Sequence, residues 1–256
     1  MSTSTTHSAV IACAGIPISA ITPADAAYKL IWLARAPLAA GVDVHLCNAY
    51  TVALADRDPD LHALLRRAML NLPDGTPVVW ANRLLHPEAD VPKQRVRGPG
   101  LFLDVFDYGQ ETGLRHYLLG STPEVLEALQ ANLLARFPAA RIVGSESPPF
   151  RDLDQAEQAE QLARIERSGA EIVWVGLGTP KQDFEVSRMA SQSRRVFVAV
   201  GAAFDFAAGT KTEAAPWMQN NGLEWVHRLG HEPRRLWKRY LFGNARFVRA
   251  TLFRRG

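Results

Sequence analysis

EIVWVGLGTPKQDF, residues 171–184, sets an unbroken apolar run against two glycines and then a polar segment that opens like a helix. An apolar run of roughly four to eight residues closed by glycine is the pattern of a strand buried on both faces, as in a parallel sheet. The unit recurs outward in both directions. RHYLLG (115–120) runs into Ser-Thr-Pro-Glu and an amphipathic stretch ending at Phe137, with Thr122 as cap and Pro123 in the first turn. RIVGSESPPF (141–150) gives a strand and a loop, and RVFVAVGAAFDFAAGT (195–210) gives a strand ending in Gly201. Nearer the start, VDVHLCNAY (42–50) opens into a helix expected to continue through Arg67. AMLNLPDGTPVVWANRLL (68–85) places a short apolar run before Pro73-Asp74-Gly75 and a further helix. Repeated strand, glycine and helix predict an α/β fold: a Rossmann-like parallel sheet with flanking helices, whose loops collect at the carboxyl edge where open sheets bind ligands.

The length of 256 residues suits one large domain or two small ones. The only two cysteines, Cys13 and Cys47, form neither a metal-ligand spacing nor a disulfide framework, which points to a reducing compartment. AVIACAGIPISAI (9–21) is the nearest approach to a membrane span and falls well short of the roughly 20 residues needed. Charge is unevenly placed. Residues 227–256 carry a net charge of +8 and the rest of the chain −5. This divides the chain into an α/β domain, 9–226, and a basic amphipathic C-terminal helical appendage, 227–256. The appendage interleaves arginines with Trp237, Tyr240 and Phe247, a composition that fits a membrane surface or, as the alternative function, a nucleic acid.

Gly120, Gly176, Gly178 and Gly201 each follow a strand and let backbone N–H groups approach an anion, although any one of them alone is a plain strand-exit turn. With Lys181 and Gln182 they suggest a diphosphate or a sugar nucleotide. No GxGxxG or Walker A sequence occurs, which argues against dinucleotides and P-loop chemistry. Asp74 and Asp205 are carboxylates at strand ends; the first is a turn former or a general base, the second a loop brace or a second acid. Of the Asp-x-Asp pairs, Asp56/Asp58 and Asp58/Asp60 overlap in what reads as a solvated helix connection and Asp152/Asp154 lies in a charged stretch, so no metal and no cofactor is expected.

LPDGTPVVW (72–80), RVRG (95–98), LLGSTPE (118–124), VGLGTPKQD (175–183), VGAAFDFAAGT (200–210), APWMQNNGLEWVHRL (215–229) and EPRRLWKRY (232–240) together resemble the WecG/TagA/CpsF glycosyltransferase family, glycosyltransferase family 26, from about Gly15 to Tyr240. The resemblance implies a metal-independent, inverting enzyme that moves a hexose or N-acetylhexosamine-type sugar from a UDP-sugar to a polyprenyl-diphosphate-linked saccharide in cell-surface or exopolysaccharide synthesis. It implies a peripheral position on the cytoplasmic face of the membrane, and a homo-oligomer by analogy. It makes Asp74 the general base, Asn48 a positioning group, Arg95 a phosphate contact and Gln182 a donor contact. The glycine loops and Asp205 would line the substrate site, and Arg228, Arg235 and Arg239 of the appendage would close over the diphosphate. Three departures stand out. The family threonine two residues before Asn48 is Leu46, so its hydroxyl contact is lost or passes to another residue, with His45 as candidate. Asp183 replaces a glutamate, and Gly98-Pro99-Gly100 lacks the family's acid.

Overall fold

The computed structural model describes residues 9–231 and 233–253, apart from the side chains of Pro216, Asn220, Arg228, His231, Arg235, Leu236 and residues 238–241. Eight strands occur among these residues: β1 Val10–Cys13, β2 Ile16–Ser19, β3 Val42–Cys47, β4 Leu70–Pro73, β5 Arg115–Gly120, β6 Arg141–Glu146, β7 Ile172–Gly176 and β8 Val196–Ala199. The first helices are α1 Pro23–Arg35, α2 Ala49–Ala55, α3 Pro59–Arg67, α4 Thr76–Leu85, α5 Gly98–Gly109 and α6 Pro123–Arg136. They are followed by α7 Gln155–Ser168, α8 Lys181–Gln192, α9 Ala203–Ala207, α10 Pro216–Asn220, α11 Glu224–His231 and α12 Pro233–Phe253. β1 and β2 form an antiparallel hairpin, and the other six strands form a parallel sheet in the order β4-β3-β8-β7-β5-β6. The Rossmann-like α/β architecture is therefore as the sequence predicts.

The predicted helix from 49 to 67 is two helices. Pro59 supplies no N–H, and the Asp58 side chain accepts from the backbone N–H of Asp60 and Leu61, so a new N-terminus starts there.

The sheet is covered on both faces. Leu118, Trp174 and Val198 pack with α1, α5 and α6 on one side; Leu119, Val175 and Phe197 pack with Ile165 of α7 and Val186 and Met189 of α8 on the other. β5 and β7 are hydrogen-bonded neighbours, yet the helix after β5 lies on the first face and the helix after β7 on the second. That divergence opens a crevice at their carboxyl ends, the place where doubly wound sheets receive ligands.

A third cluster joins the hairpin to α2 and α3, with Phe247 and Ala250 of α12 buried in it. Deep in the core His116 stacks on Phe106 and accepts the Trp174 indole N–H at 3.1 Å. Burial drives its imidazole down to about 3, so it is a neutral packing residue.

Candidate active site at the carboxyl edge of the sheet

Asn48 follows β3 and caps α2: its side-chain oxygen accepts from the backbone N–H of Tyr50 and Thr51 at 3.0 and 3.1 Å. Both lone pairs being committed, its amide N–H is left to donate to Asp74 Oδ2 at 3.4 Å. Asp74 follows the neighbouring strand β4, and its backbone N–H extends the ladder to Cys47 O at 3.0 Å. Parallel pairing thus sets an amide and a carboxylate side by side at the exits of two adjacent strands.

Beyond β4, the segment before α5 returns along the same edge, with Val96 N–H donating to Pro73 O. It presents Lys93, Arg95 and Arg97 to a cavity of about 490 Å³ that is also lined by Thr76, Trp80 and Gln219. Arg95 donates to Glu224 Oε2 at 2.8 Å and to Gln219 O at 3.2 Å; Arg97 donates to the same Glu224 oxygen at 3.2 Å and to Glu213 at 2.7 Å. Burial lowers the Arg97 guanidinium, but the charges of Glu224 and Glu213 outweigh it and hold it above its ordinary value. These ion pairs clamp α10 and α11 to the body.

Gly120 and Gly176 meet at the β5–β7 crevice. Gly120 has φ +127°, and a Cβ there would stand 2.6 Å from Gly176 O, a backbone atom that cannot yield. Gly120→Ala is accordingly expected to cost about 3 kcal/mol in urea unfolding, from strain and overpacking together. A side chain on Gly176 would strike the Phe204 ring at 2.9 Å, whereas the space around Gly178, at φ +79°, is open. Gln182 is buried in the first turn of α8, and its side-chain oxygen accepts Gly178 N–H at 3.0 Å, so it braces the loop before its own helix. Gly201 lies alongside it, its Cβ position 3.6 Å from Gln182 Nε2. The segment after β6 crosses the crevice mouth: Ser147 Oγ donates to Ser121 O, and Lys181 Nζ donates to Arg151 O and Asp152 Oδ1. Between these tethers Phe150 is fully exposed.

Asp205, in α9, pairs with Lys211 at 2.9 Å, and its backbone oxygen accepts from Thr210 and Lys211. The side chains of Arg228, Arg235 and Arg239 lie outside the described residues. Each Asp-x-Asp pair has structural work. Asp56 pairs with Arg249 at 3.2 Å and Arg246 at 4.0 Å, Asp58 caps α3, Asp152 holds Lys181, and Asp154 forms a capping box with Glu157.

His45 does not supply the missing hydroxyl beside Asn48. Leu46 faces the α5 side of the sheet, with its side chain against Gly98, and strand alternation sends His45 to the opposite face. There the imidazole is fully buried between Asp183 of α8, at 3.0 Å, and Asp43, at 3.3 Å. Neither this triad nor the pairing of Arg95 and Arg97 with Glu224 is visible in sequence. The alternation of Arg95 and Arg97 along an extended segment is the single signal that both face one way.

Among the described residues no helix is long and apolar enough to cross a membrane, and no three His, Cys, Asp or Glu side chains converge as a metal-binding group. A family model described as the glycosyl transferase WecG/TagA/CpsF family matches residues 11–256.

Proposed function

Because the chain belongs to the WecG/TagA/CpsF family of glycosyl transferases, a family of cell-surface polysaccharide biosynthesis, we propose that it transfers a hexose or N-acetylhexosamine-type sugar from a UDP-sugar to a polyprenyl-diphosphate-linked saccharide. The observation that carries this reading is the Asn48–Asp74 pair at the exits of β3 and β4, beside a cavity lined by three cationic side chains. The acceptor hydroxyl oxygen attacks the anomeric carbon from the face opposite the leaving UDP. The new C–O bond forms as the bond to the diphosphate breaks, the configuration inverts, and the hydroxyl proton passes to the Asp74 carboxylate. Asn48 holds that carboxylate in place.

The departing diphosphate needs positive or N–H-rich groups. The Gly120, Gly176 and Gly178 loops, the start of α8 with Gln182, and Arg228, Arg235 and Arg239 of the C-terminal segment are proposed for this role, with Asp205 beside them. Lys93, Arg95 and Arg97 suit the acceptor's own diphosphate. Charge stabilisation from these groups would stand where other transferases use a divalent ion.

Residues 227–256 are proposed as the membrane-docking unit on the cytoplasmic face. Trp237, Phe242, Val248, Leu252 and Phe253 are exposed, while Arg246 and Arg249 are engaged by Asp56. An apolar surplus with part of its positive charge already paired favours a lipid interface over nucleic acid.

The test is UDP release from a panel of UDP-sugars, with a polyprenyl-diphosphate-linked acceptor in detergent and EDTA, alongside sedimentation with anionic vesicles and with nucleic acid. Turnover of one donor in EDTA together with vesicle binding is the expected result. Turnover that needs an added divalent ion would remove metal independence, and retention by nucleic acid but not vesicles would remove the membrane role.

A further inference from the structure

His45 has a carboxylate on each ring nitrogen: Asp183 Oδ1 lies 3.0 Å from Nδ1 and Asp43 Oδ2 lies 3.3 Å from Nε2. A neutral imidazole has one N–H and one lone pair, so one carboxylate would face a lone pair across a dry contact. Only the imidazolium donates to both. Asp43 and Asp183 are the charged groups recorded against the ring. On the same face β8 presents Phe197 and Ala199 beside Asp43 and His45, and β4 presents Asn71 beside His45; none of the three titrates. Cys47, next on that face, is held well above the usual thiol range by burial and by the Asp183 charge, so it stays neutral.

The position of this cation is what gives it consequence. Asp183 directly follows Gln182, whose side chain holds Gly178 N–H, and both residues are in the first turn of α8. His45 lies three residues before Asn48, on the strand that delivers it. The second Asp183 oxygen is buried with no hydrogen-bond partner among the described residues, so its anchorage rests on the contact to His45. We propose that His45, as an imidazolium at neutral pH between Asp43 and Asp183, is a positioning residue that locks the Gly178–Gln182 loop to the strand carrying Asn48, and so sets donor binding. The donor part of this inference rests on the function proposed above; the locking of the loop does not.

Burial alone would lower the imidazole, but the hydrogen bonds and charges of Asp183 and Asp43 outweigh it and raise it to about 9. With the folded value above the ordinary 6.5, the stabilisation is complete below pH 6.5 and is lost as pH rises through about 9. The loop is therefore expected to loosen at alkaline pH.

Ring ¹⁵N NMR of the full chain at pH 7.5, where His116 is neutral, should show one doubly protonated buried imidazole that gives up its proton near pH 9. Hydrogen exchange of residues 177–184, corrected for its intrinsic pH dependence, should accelerate over the same range while β5 and β8 do not change. His45→Gln should show that acceleration already at pH 7.5 and raise donor KM about tenfold, with kcat changed less. His45→Lys, which keeps a buried cation, should restore KM and remove the transition near pH 9. A neutral imidazole at pH 7.5, or loop exchange in wild type that ignores its titration, overturns the proposal even if His45→Gln fails to fold. Normal loop exchange in a folded His45→Gln overturns it as well. A chain that accepts no UDP-sugar yet shows the titration and the loop response overturns the donor assignment and leaves the lock standing.

Discussion

Asp74→Asn is expected to lower turnover about 10²- to 10⁴-fold, the range typical of losing a positioned general base. Donor KM and thermal stability should stay close to wild type. Asn is isosteric with Asp, and the backbone link from residue 74 to Cys47 O needs no particular side chain. The amide can still meet Asn48 through its oxygen, so the loop geometry survives while the proton acceptor is gone. Steady-state kinetics with the preferred UDP-sugar, paired with a thermal melt, decide the matter. Activity within a few-fold of wild type would require another base, and Asp205, already paired with Lys211, would have to be tested next.

Glu224→Ala should have the largest effect on stability. One carboxylate oxygen serves both Arg95 and Arg97, and all three side chains are less than one-fifth exposed. Removing one member of a buried ion pair leaves uncompensated charge and typically costs about 3–5 kcal/mol. Arg97 keeps Glu213, and Arg95 keeps the Gln219 carbonyl, so the loss should fall in the lower part of that range. It should also be local. Denaturant unfolding gives the magnitude, and hydrogen exchange should show α10 and α11 opening ahead of the sheet. A melt unchanged within about 0.5 kcal/mol would place this cluster with surface ion pairs of little worth.

The parallel sheet was legible because its inner strands are buried on both faces, which leaves apolar runs such as IVWVG and RVFVAV closed by glycine. The edge strand β6 is half exposed, and its sequence RIVGSE is correspondingly plainer. The break at Asp58-Pro59 could have been read, since Asp before Pro is a start signal, but the apolar periodicity continues across it. α5 opens on Gly98-Pro99-Gly100, which looks like a turn; it is helical because Pro99 occupies the first turn, where its missing N–H costs nothing. A Cβ on Gly98 would stand 2.9 Å from Leu46 Cδ1 and 3.2 Å from Val200 O, so a side chain there would crowd both.

Local chemistry also gave Asp74 as a strand-end carboxylate, because its position depends only on the strand before it. Asn48 and Arg95 came from resemblance, and the structure adds the amide contact between Asn48 and Asp74. The partners of Arg95 were not legible at all. Glu224 is 129 residues away, and nothing in a linear pattern joins positions that the fold brings together from opposite ends. The His45 triad was hidden for a related reason. A histidine on a strand says nothing of which helix covers it, and Asp183 reads as an ordinary first-turn acid.

Phe247 and Ala250 near the end of α12 share one core with Ile11, Cys13, Ile16 and Ile18 of the opening hairpin. α12 runs along α2, with Gly243 beside the Tyr50 ring, so the helix that Asn48 caps is covered by a segment far along the chain. Loss of Phe247 and Ala250 would therefore uncover α2 first, and the damage would reach Asn48 through the helix it caps while the hairpin kept its cover from α3 and α4.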